Sequence, residues 1–214
     1  MNTIASTKLA YHKSSTKVIH IKSADRGQAC GCICLECSEN LEAAQGNIRD
    51  WYFRHVVNVD CRGGQETALH ELGKQILIEN SQIKLPKQGI INYSDPASEK
   101  TFISTRPDVT AIYNGQKIYF EIAVKHFVED DKKDFFNNGQ CKCVEIDLSN
   151  VDTSSYEIIK EAVLNETSNK KLYGWENIEK PAEIDWFSIA MIGSLFALIF
   201  GLFRKTRKSR KNYF

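Results

Sequence analysis

The dipeptide Asn114-Gly115 constrains the fold of this chain more than any other feature of its sequence. Asn-Gly between two alternating apolar segments is the strongest short signal for a two-residue type I′ hairpin, because both turn residues must adopt a positive φ. Residues 102–113 and 116–124 flank the dipeptide and predict two antiparallel strands, in a hairpin that spans residues 104–125. The turn also fixes the register: in each facing pair, the two residue numbers add up to 229.

This register predicts that Asp108 faces Glu121, with their Cβ atoms about 5 Å apart on one face of the sheet. Two carboxylates at that distance repel each other unless a cation compensates them, and Mg²⁺ is typically held by one or two carboxylates. Alternation places Glu121, Ala123 and Lys125 on one face and apolar side chains on the other. We therefore predict a divalent-metal site. The alternative is an exposed hairpin whose acids are solvated and neutralised by Arg106 and Lys125.

A helix is predicted for residues 65–80, because apolar residues recur there at helical spacing and would face a core. Three polar residues repeat every four positions beside the apolar stripe, as groups that line a cleft would. An ordinary solvated flank of an amphipathic helix is the alternative. The polar residues are Glu66, His70 and Lys74, and the apolar stripe is Leu69, Leu72 and Ile76.

Five of the seven cysteines lie between residues 30 and 61, a density more typical of a metal site than of a disulfide framework. Two thiolates spaced as in Cys34-x-x-Cys37 form half of a tetrahedral zinc site, which His55 and Cys61 could complete. Since the protein would supply all four ligands, the zinc would be structural. Other ligands, a redox role and a zinc- or thiol-based sensor remain alternatives. The competing ligands are Cys30 and Cys32.

Shorter patterns complete the prediction for the body of the chain. β-Branched residues near the N-terminus indicate a hairpin, and two apolar segments late in the chain indicate a strand and a helix. A polar, proline-containing stretch ends at Ser98, and no element is predicted in it. The hairpin is predicted at 8–12 and 17–22, a short helix or turn at 130–136, the strand at 143–148, the helix at 156–164 and a polar linker at 165–183.

Residues 186–203 form an uncharged stretch of eighteen residues, just long enough to cross a bilayer as a helix. A buried core helix is the alternative. Six basic residues follow in 204–214 and predict a cytoplasmic tail, whereas the reduced thiols and the missing signal peptide predict a cytoplasmic body. A simple single span cannot satisfy both expectations. A re-entrant segment or a tail anchor would resolve the conflict.

The balance of charge restricts where a nucleic acid could bind. The chain has 28 basic and 27 acidic residues, and removing the six basic residues of 204–214 leaves 22 against 27, a balance of −5. A broad phosphate-binding surface usually makes a domain basic. Any contact with nucleic acid must therefore be local.

The order of these motifs resembles that of the competence protein CoiA-like family over roughly residues 7–150. The resemblance implies a zinc-knuckle module joined to a nuclease core of the PD-(D/E)xK, restriction-endonuclease-like type. It also implies that Asp108 and Glu121 bind Mg²⁺ or Mn²⁺ and that Glu66 assists them. The motifs are Cys34-x-x-Cys37, Tyr52-Phe53-x-His55, Cys61, Glu66-x-x-x-His70-x-x-x-Lys74, Arg106-Pro107-Asp108-Val109 and Glu121-Ile122.

One position departs from this pattern. The superfamily motif places a lysine two residues after the second acid, where this chain has Ala123. That lysine stabilises the charge that develops on the phosphate. Lys125 lies on the same face one pleat further, and Lys74 could approach from the helix. With His70 beside them, these two lysines complete the predicted catalytic set.

The expected fold is α/β: a mixed sheet flanked by helices, a small N-terminal β and zinc module, and a C-terminal membrane helix. The expected function is metal-dependent cleavage of DNA in uptake, processing or defence, by a membrane-associated protein with its body in the cytoplasm. A catalytically inactive, membrane-tethered DNA-binding or scaffold protein is the alternative, and a homo-oligomer is left open. The expected regions are 1–25 (hairpin), 26–64 (zinc module), 65–165 (nuclease-like core), 166–185 (linker), 186–203 (membrane helix) and 204–214 (basic tail).

Overall fold

The computed structural model of the chain describes residues 7–61, 64–98, 107–138 and 141–175. These residues form a mixed α/β structure. The strands are β1 (Leu9–His12), β2 (Lys17–His20), β3 (Cys32–Ile33), β4 (Leu41–Ala44), β5 (Tyr52–His55), β6 (Gln82–Leu85), β7 (Gly89–Asn92), β8 (Ser94–Ala97), β9 (Val109–Tyr113), β10 (Gln116–Ala123), β11 (Lys142–Asp147) and β12 (Lys170–Tyr173). The α-helices are α1 (Gln65–Ile78), α2 (Asp130–Asn138) and α3 (Tyr156–Leu164).

A mixed five-stranded sheet is the largest element of the fold. Its strand order is β12-β11-β10-β9-β8, with β10 and β11 parallel and the other neighbours antiparallel. The parallel pair needs a crossover connection, and α2 provides it. Helices α1 and α3 pack together with apolar residues of the sheet in the main core. The predicted mixed sheet flanked by helices is therefore confirmed.

The main hairpin, β9–β10, has the predicted register. Tyr113 faces Gln116, and the two turn residues, Asn114 and Gly115, have φ values of 51° and 75°. The ladder ends at the pair of Val109 and Phe120, so Asp108 and Glu121 lie one position beyond its last pair. Arg106 and the predicted strand before it lie outside the described residues.

Both faces of β10 are covered. Ile118, Phe120 and Ile122 join the core with the apolar stripe of α1, as predicted. The opposite face was predicted to be polar, but Tyr119 packs there against Phe136 of α2 in a second apolar cluster. The cover extends along the strand, since Glu121 is 8% and Ala123 2% exposed. The carboxylate of Glu121 is therefore buried instead of lying on an open surface.

The N-terminal module has a core of its own. Strands β2, β1 and β3 form one small sheet and β4 and β5 another, and bridges such as Thr7 with Phe53 connect them. Phe53 and three of the cysteines lie buried between these strands. Leu9 and Val18, in contrast, belong to the main core with α1. The β1–β2 hairpin therefore contributes to both cores.

Two polar segments without a predicted element contain strands. The polar stretch before Ser98 contains β6, β7 and β8, and the predicted linker contains β12, the edge strand of the main sheet. In β6 the side chains of Ile83 and Leu85 are buried and alternate with exposed polar ones. Such four-residue alternations are too short to distinguish from loop sequence, and pairing with a neighbouring strand determines their structure.

No helix within the described ranges has the length and apolar character needed to cross a membrane. The predicted membrane segment, 186–203, and the basic tail, 204–214, lie outside those ranges, so their predictions stay predictions.

Candidate metal centre and carboxylate site

The four predicted zinc ligands come together in the structure. The sulfur atoms of Cys34, Cys37 and Cys61 and a ring nitrogen of His55 all lie within 4.8 Å of one another. Cys34 Sγ is 3.8 Å from Cys61 Sγ, and Cys37 Sγ is 3.2 Å from His55 Nε2. Zn–S bonds of about 2.3 Å in a tetrahedron place two sulfurs roughly 3.8 Å apart. The group can therefore hold a structural metal such as zinc.

Two local structures position these ligands. A tight turn follows Cys34, whose carbonyl accepts a hydrogen bond from the Ser38 amide at 2.9 Å. The turn brings Cys37 back towards His55, the last residue of β5. Gly64 is the residue that immediately precedes α1 and has a φ of 60°. A Cβ atom added there would lie 2.8 Å from Cys34 Sγ. The metal group therefore lies against the start of α1, and Thr67 of that helix donates to Glu36 at 3.0 Å.

The competing cysteines are engaged elsewhere. Cys30 Sγ donates to the Leu41 carbonyl at 3.4 Å, and Cys32 Sγ donates to the Cys30 carbonyl at 3.1 Å. Both are buried in the core of the N-terminal module. Burial also raises the pKa of Cys34 to about 11, so a bound cation is what would convert this thiol to a thiolate at neutral pH. None of the seven cysteines forms a disulfide bond.

Asp108 lies at the end of the main hairpin, where it contacts helix α1. Its Oδ2 atom accepts a hydrogen bond from the Ile122 amide at 2.8 Å and another from His70 Nε2 at 3.1 Å. The carboxylate therefore takes the place that a backbone carbonyl would occupy if β9 continued. Among the described residues, the other oxygen, Oδ1, accepts no hydrogen bond.

His70 is the centre of a row of alternating charges along α1. Its Nδ1 atom lies 3.6 Å from Glu71, which also accepts from Lys74 at 2.8 Å. The hydrogen bond to Asp108, with help from Glu71, raises the pKa of His70 to about 9. The nearby imidazolium of His70 in turn lowers the pKa of Glu71 to about 2. At neutral pH the imidazolium thus pairs with two carboxylates.

The two candidate lysines both bind glutamates of α1. Lys125 pairs with Glu66, and Lys74 pairs with Glu71. The side chain of Lys125 is 69% exposed. Ala123, at the motif's lysine position, is buried.

Glu145 is an acid that sequence reasoning missed. It pairs with Glu121 across the parallel strands and is 1% exposed. Its carboxylate accepts hydrogen bonds from the Val128 amide at 2.8 Å and from Lys171 at 3.1 Å. The repeated pattern apolar-Glu-apolar in β10 and β11 was the available signal, but the cover over this face could not be foreseen from it.

The two sites differ in how completely their ligands are assembled. Within the described ranges, only the cysteine–histidine group brings three or more potential ligands close enough for one ion. Asp108 immediately precedes β9 and Glu121 lies in the adjacent strand β10, so an ion held by these two carboxylates would need water or substrate oxygens to complete its coordination shell.

Comparison of the chain with protein-family models, with curated proteins and with solved structures gave no match in any of the three. The resemblance to the competence protein family therefore rests on the order of the motifs.

Proposed function

We propose that this protein is a metal-dependent nuclease that hydrolyses phosphodiester bonds of DNA. The observation that carries the proposal is the contact between Asp108 and His70. It brings the acid of the main hairpin against the polar face of α1, where Glu66 also lies. A restriction-endonuclease-like core combines such an acid with a second one on the next strand, here Glu121.

Asp108 and Glu121 would hold Mg²⁺ or Mn²⁺ through carboxylate oxygens, the donor type that these ions prefer. Asp108 Oδ1, which accepts no hydrogen bond from any described residue, would be the oxygen of that residue that contacts the ion. A bound divalent ion supplies a water nucleophile at neutral pH and neutralises charge on the phosphate. Burial of Glu121 excludes bulk water from its carboxylate, which strengthens electrostatic interactions there.

The protein's own side chains would supply the remaining functions. His70, held as an imidazolium by Asp108 and Glu71, fixes the orientation of the Asp108 carboxylate. Lys125 is the better candidate for stabilising the charge on the phosphate. Its side chain is exposed and pairs with Glu66, in the first turn of α1. Lys74 is less exposed and is held by Glu71.

A catalytically inactive DNA-binding or scaffold protein, tethered through residues 186–203, is the second candidate. Ala123 favours it, because the usual lysine is missing from β10. The imidazolium of His70 also favours this candidate, because it compensates the charge of Asp108 without a bound metal ion. In either case zinc would serve only to stabilise the N-terminal module.

Cleavage by the full chain in detergent distinguishes the two candidates. Supercoiled, linear and single-stranded DNA are incubated with Mg²⁺ or Mn²⁺, using wild type, Asp108→Asn and Glu121→Gln. The exposed Glu157 of α3 offers a matched control as Glu157→Gln. The nuclease proposal expects cleavage by wild type and the control and a loss of at least 100-fold in both site variants. DNA binding without cleavage in all four proteins selects the scaffold.

A further inference from the structure

The arginines of the described residues share one location. There are three of them, Arg26, Arg49 and Arg54, and all three line a groove beside the β4–β5 hairpin of the N-terminal module. The groove has a volume of about 580 Å³. No lysine lines it. The presence of arginine and not lysine matters, because a planar guanidinium can form two parallel hydrogen bonds to a phosphate and an ammonium cannot.

The groove differs in charge from the rest of the described surface. The other two described cavities lie along α3 and the loop before it, and their charged lining residues are acids, among them Asp147, Asp152 and Glu166. The chain without its tail carries more acidic than basic residues. A polyanion would therefore be attracted to the arginine-lined groove and repelled by these other cavities.

Two of the three arginines are available to a ligand. Arg54 Nε pairs with Glu42 Oε1 at 2.6 Å across the hairpin. Arg26 and Arg49 are exposed, and neither has a carboxylate within 4.0 Å among the residues that the structure describes. Asp50 also lines the groove, but its carboxylate is 4.0 Å from the ammonium of Lys8.

One aromatic residue lines the groove and another is next to it in sequence. Tyr52 lines the groove, and the adjacent Trp51 is 42% exposed. The indole of Trp51 donates to the Gly46 carbonyl at 2.9 Å, which holds the loop that carries Arg49. Exposed aromatic faces next to positive charges are the elements that bind unpaired bases and their backbone.

We infer that this groove binds a single strand of nucleic acid, with Arg26 and Arg49 on its phosphates and Trp51 and Tyr52 against its bases. The choice of nucleic acid as the ligand rests on the proposed function, whereas the site itself is separate from Asp108. The candidate metal centre supports the groove, because His55 ends the strand that carries Tyr52 and Arg54. The groove would hold the substrate while the main hairpin cuts it.

The test measures binding separately from cleavage. Fluorescence anisotropy with a labelled 20-nucleotide DNA strand is recorded for the full chain in detergent, in the Asp108→Asn background so that the probe stays intact. The Arg26→Ala/Arg49→Ala double variant is compared with Lys84→Ala/Lys160→Ala, which removes the same charge from other surfaces. A duplex of the same sequence and polyglutamate serve as alternative ligands.

The Arg26→Ala/Arg49→Ala variant should bind the strand about tenfold more weakly or worse. The slope of its log affinity against log salt concentration should fall by about 1.4, since each phosphate contact contributes about 0.7. The inference expects little change in the lysine pair and weaker binding of the duplex. Trp51→Ala should weaken binding without changing the salt slope. Equal affinity of the arginine pair and wild type, equal affinity for duplex and strand, or displacement of the strand by polyglutamate would overturn it.

The two proposals fail in different ways. Arginine-dependent binding without any cleavage by the Asp108-containing protein leaves the groove intact and removes the nuclease. Cleavage that is unaffected by the arginine pair, together with unchanged binding, removes the groove and leaves the nuclease.

Discussion

His70 Nε2 donates a hydrogen bond to Asp108 Oδ2 at 3.1 Å, across the boundary between α1 and the main hairpin. Residues 38 positions apart in the chain are thereby joined at the point where the predicted carboxylate site lies. The contact has two consequences that can be measured. It charges the imidazole at neutral pH, and it fixes the acid of the hairpin relative to the helix.

The first prediction concerns the protonation of His70. Its pKa of about 9 in the folded protein lies above its ordinary value of 6.5, mainly because of the hydrogen bond to Asp108. The pair should therefore contribute its full stability below pH 6.5 and lose it as the pH rises through 9. NMR titration of the imidazole should give a midpoint near 9.

Asp108→Asn serves as the control for this titration. It removes the charge and should move the midpoint of His70 back towards 6.5, with Glu71 retaining part of the shift. In chemical denaturation His70→Gln should cost about 1 kcal/mol near pH 6 and little above pH 9, after allowance for partial exposure to solvent. A midpoint near 6.5 in wild type would contradict the observed contact.

The second prediction concerns the metal group. The purified chain should contain one zinc per molecule, and Cys34→Ser or Cys61→Ser should lower that content, because each removes one of four ligands. Removal of the metal with a chelator should lower the melting temperature, since ligand binding to the folded state stabilises it. Elemental analysis and thermal unfolding measure both quantities.

Cys141→Ser provides a matched control for the zinc ligands, because Cys141 packs against the second apolar cluster and does not belong to the metal group. It should leave the zinc content unchanged. Equal zinc in the Cys34→Ser protein and in wild type would refute the assignment of these ligands.

The third prediction uses two glycines that share a backbone conformation. Gly64 has a φ of 60° and Gly89 a φ of 74°, but an added Cβ meets Cys34 Sγ at 2.8 Å only in the first case. Gly89→Ala should cost about 1–2 kcal/mol through backbone strain alone. Gly64→Ala should cost more and should also weaken zinc binding. Similar losses of stability in both variants, with unchanged zinc affinity, would show that the close approach is unimportant.

Much of the fold could be predicted because strong local signals agreed with it. Asn114-Gly115 fixed the hairpin and its register, and alternation correctly assigned Phe120 and Ile122 to the main core. The zinc ligands were predicted from thiol spacing, which requires only that a short turn and one strand come together. These features depend on residues close together in sequence or on a strict periodicity.

The parts that were missed depend on tertiary contacts. β12 is a short edge strand whose Lys170 is buried and donates to the Ala162 carbonyl at 3.1 Å, a role that its sequence does not indicate. Glu145 alternates with apolar residues as a solvent-facing acid would, yet the segment before α2 covers it. Burial on both faces of a sheet depends on which helices pack there, and the strand alone carries no such information.

The presence of a divalent ion between Asp108 and Glu121 is the central claim of the proposed function. Crystals of the full chain soaked in Mn²⁺ test it directly, because the anomalous signal locates the ion independently of activity. The proposed function requires a peak in contact with Asp108 Oδ1 and a carboxylate oxygen of Glu121, absent in crystals of Asp108→Asn. Soaked crystals in which Mn²⁺ binds elsewhere, or nowhere, while His70 keeps its hydrogen bond to Asp108, would contradict it.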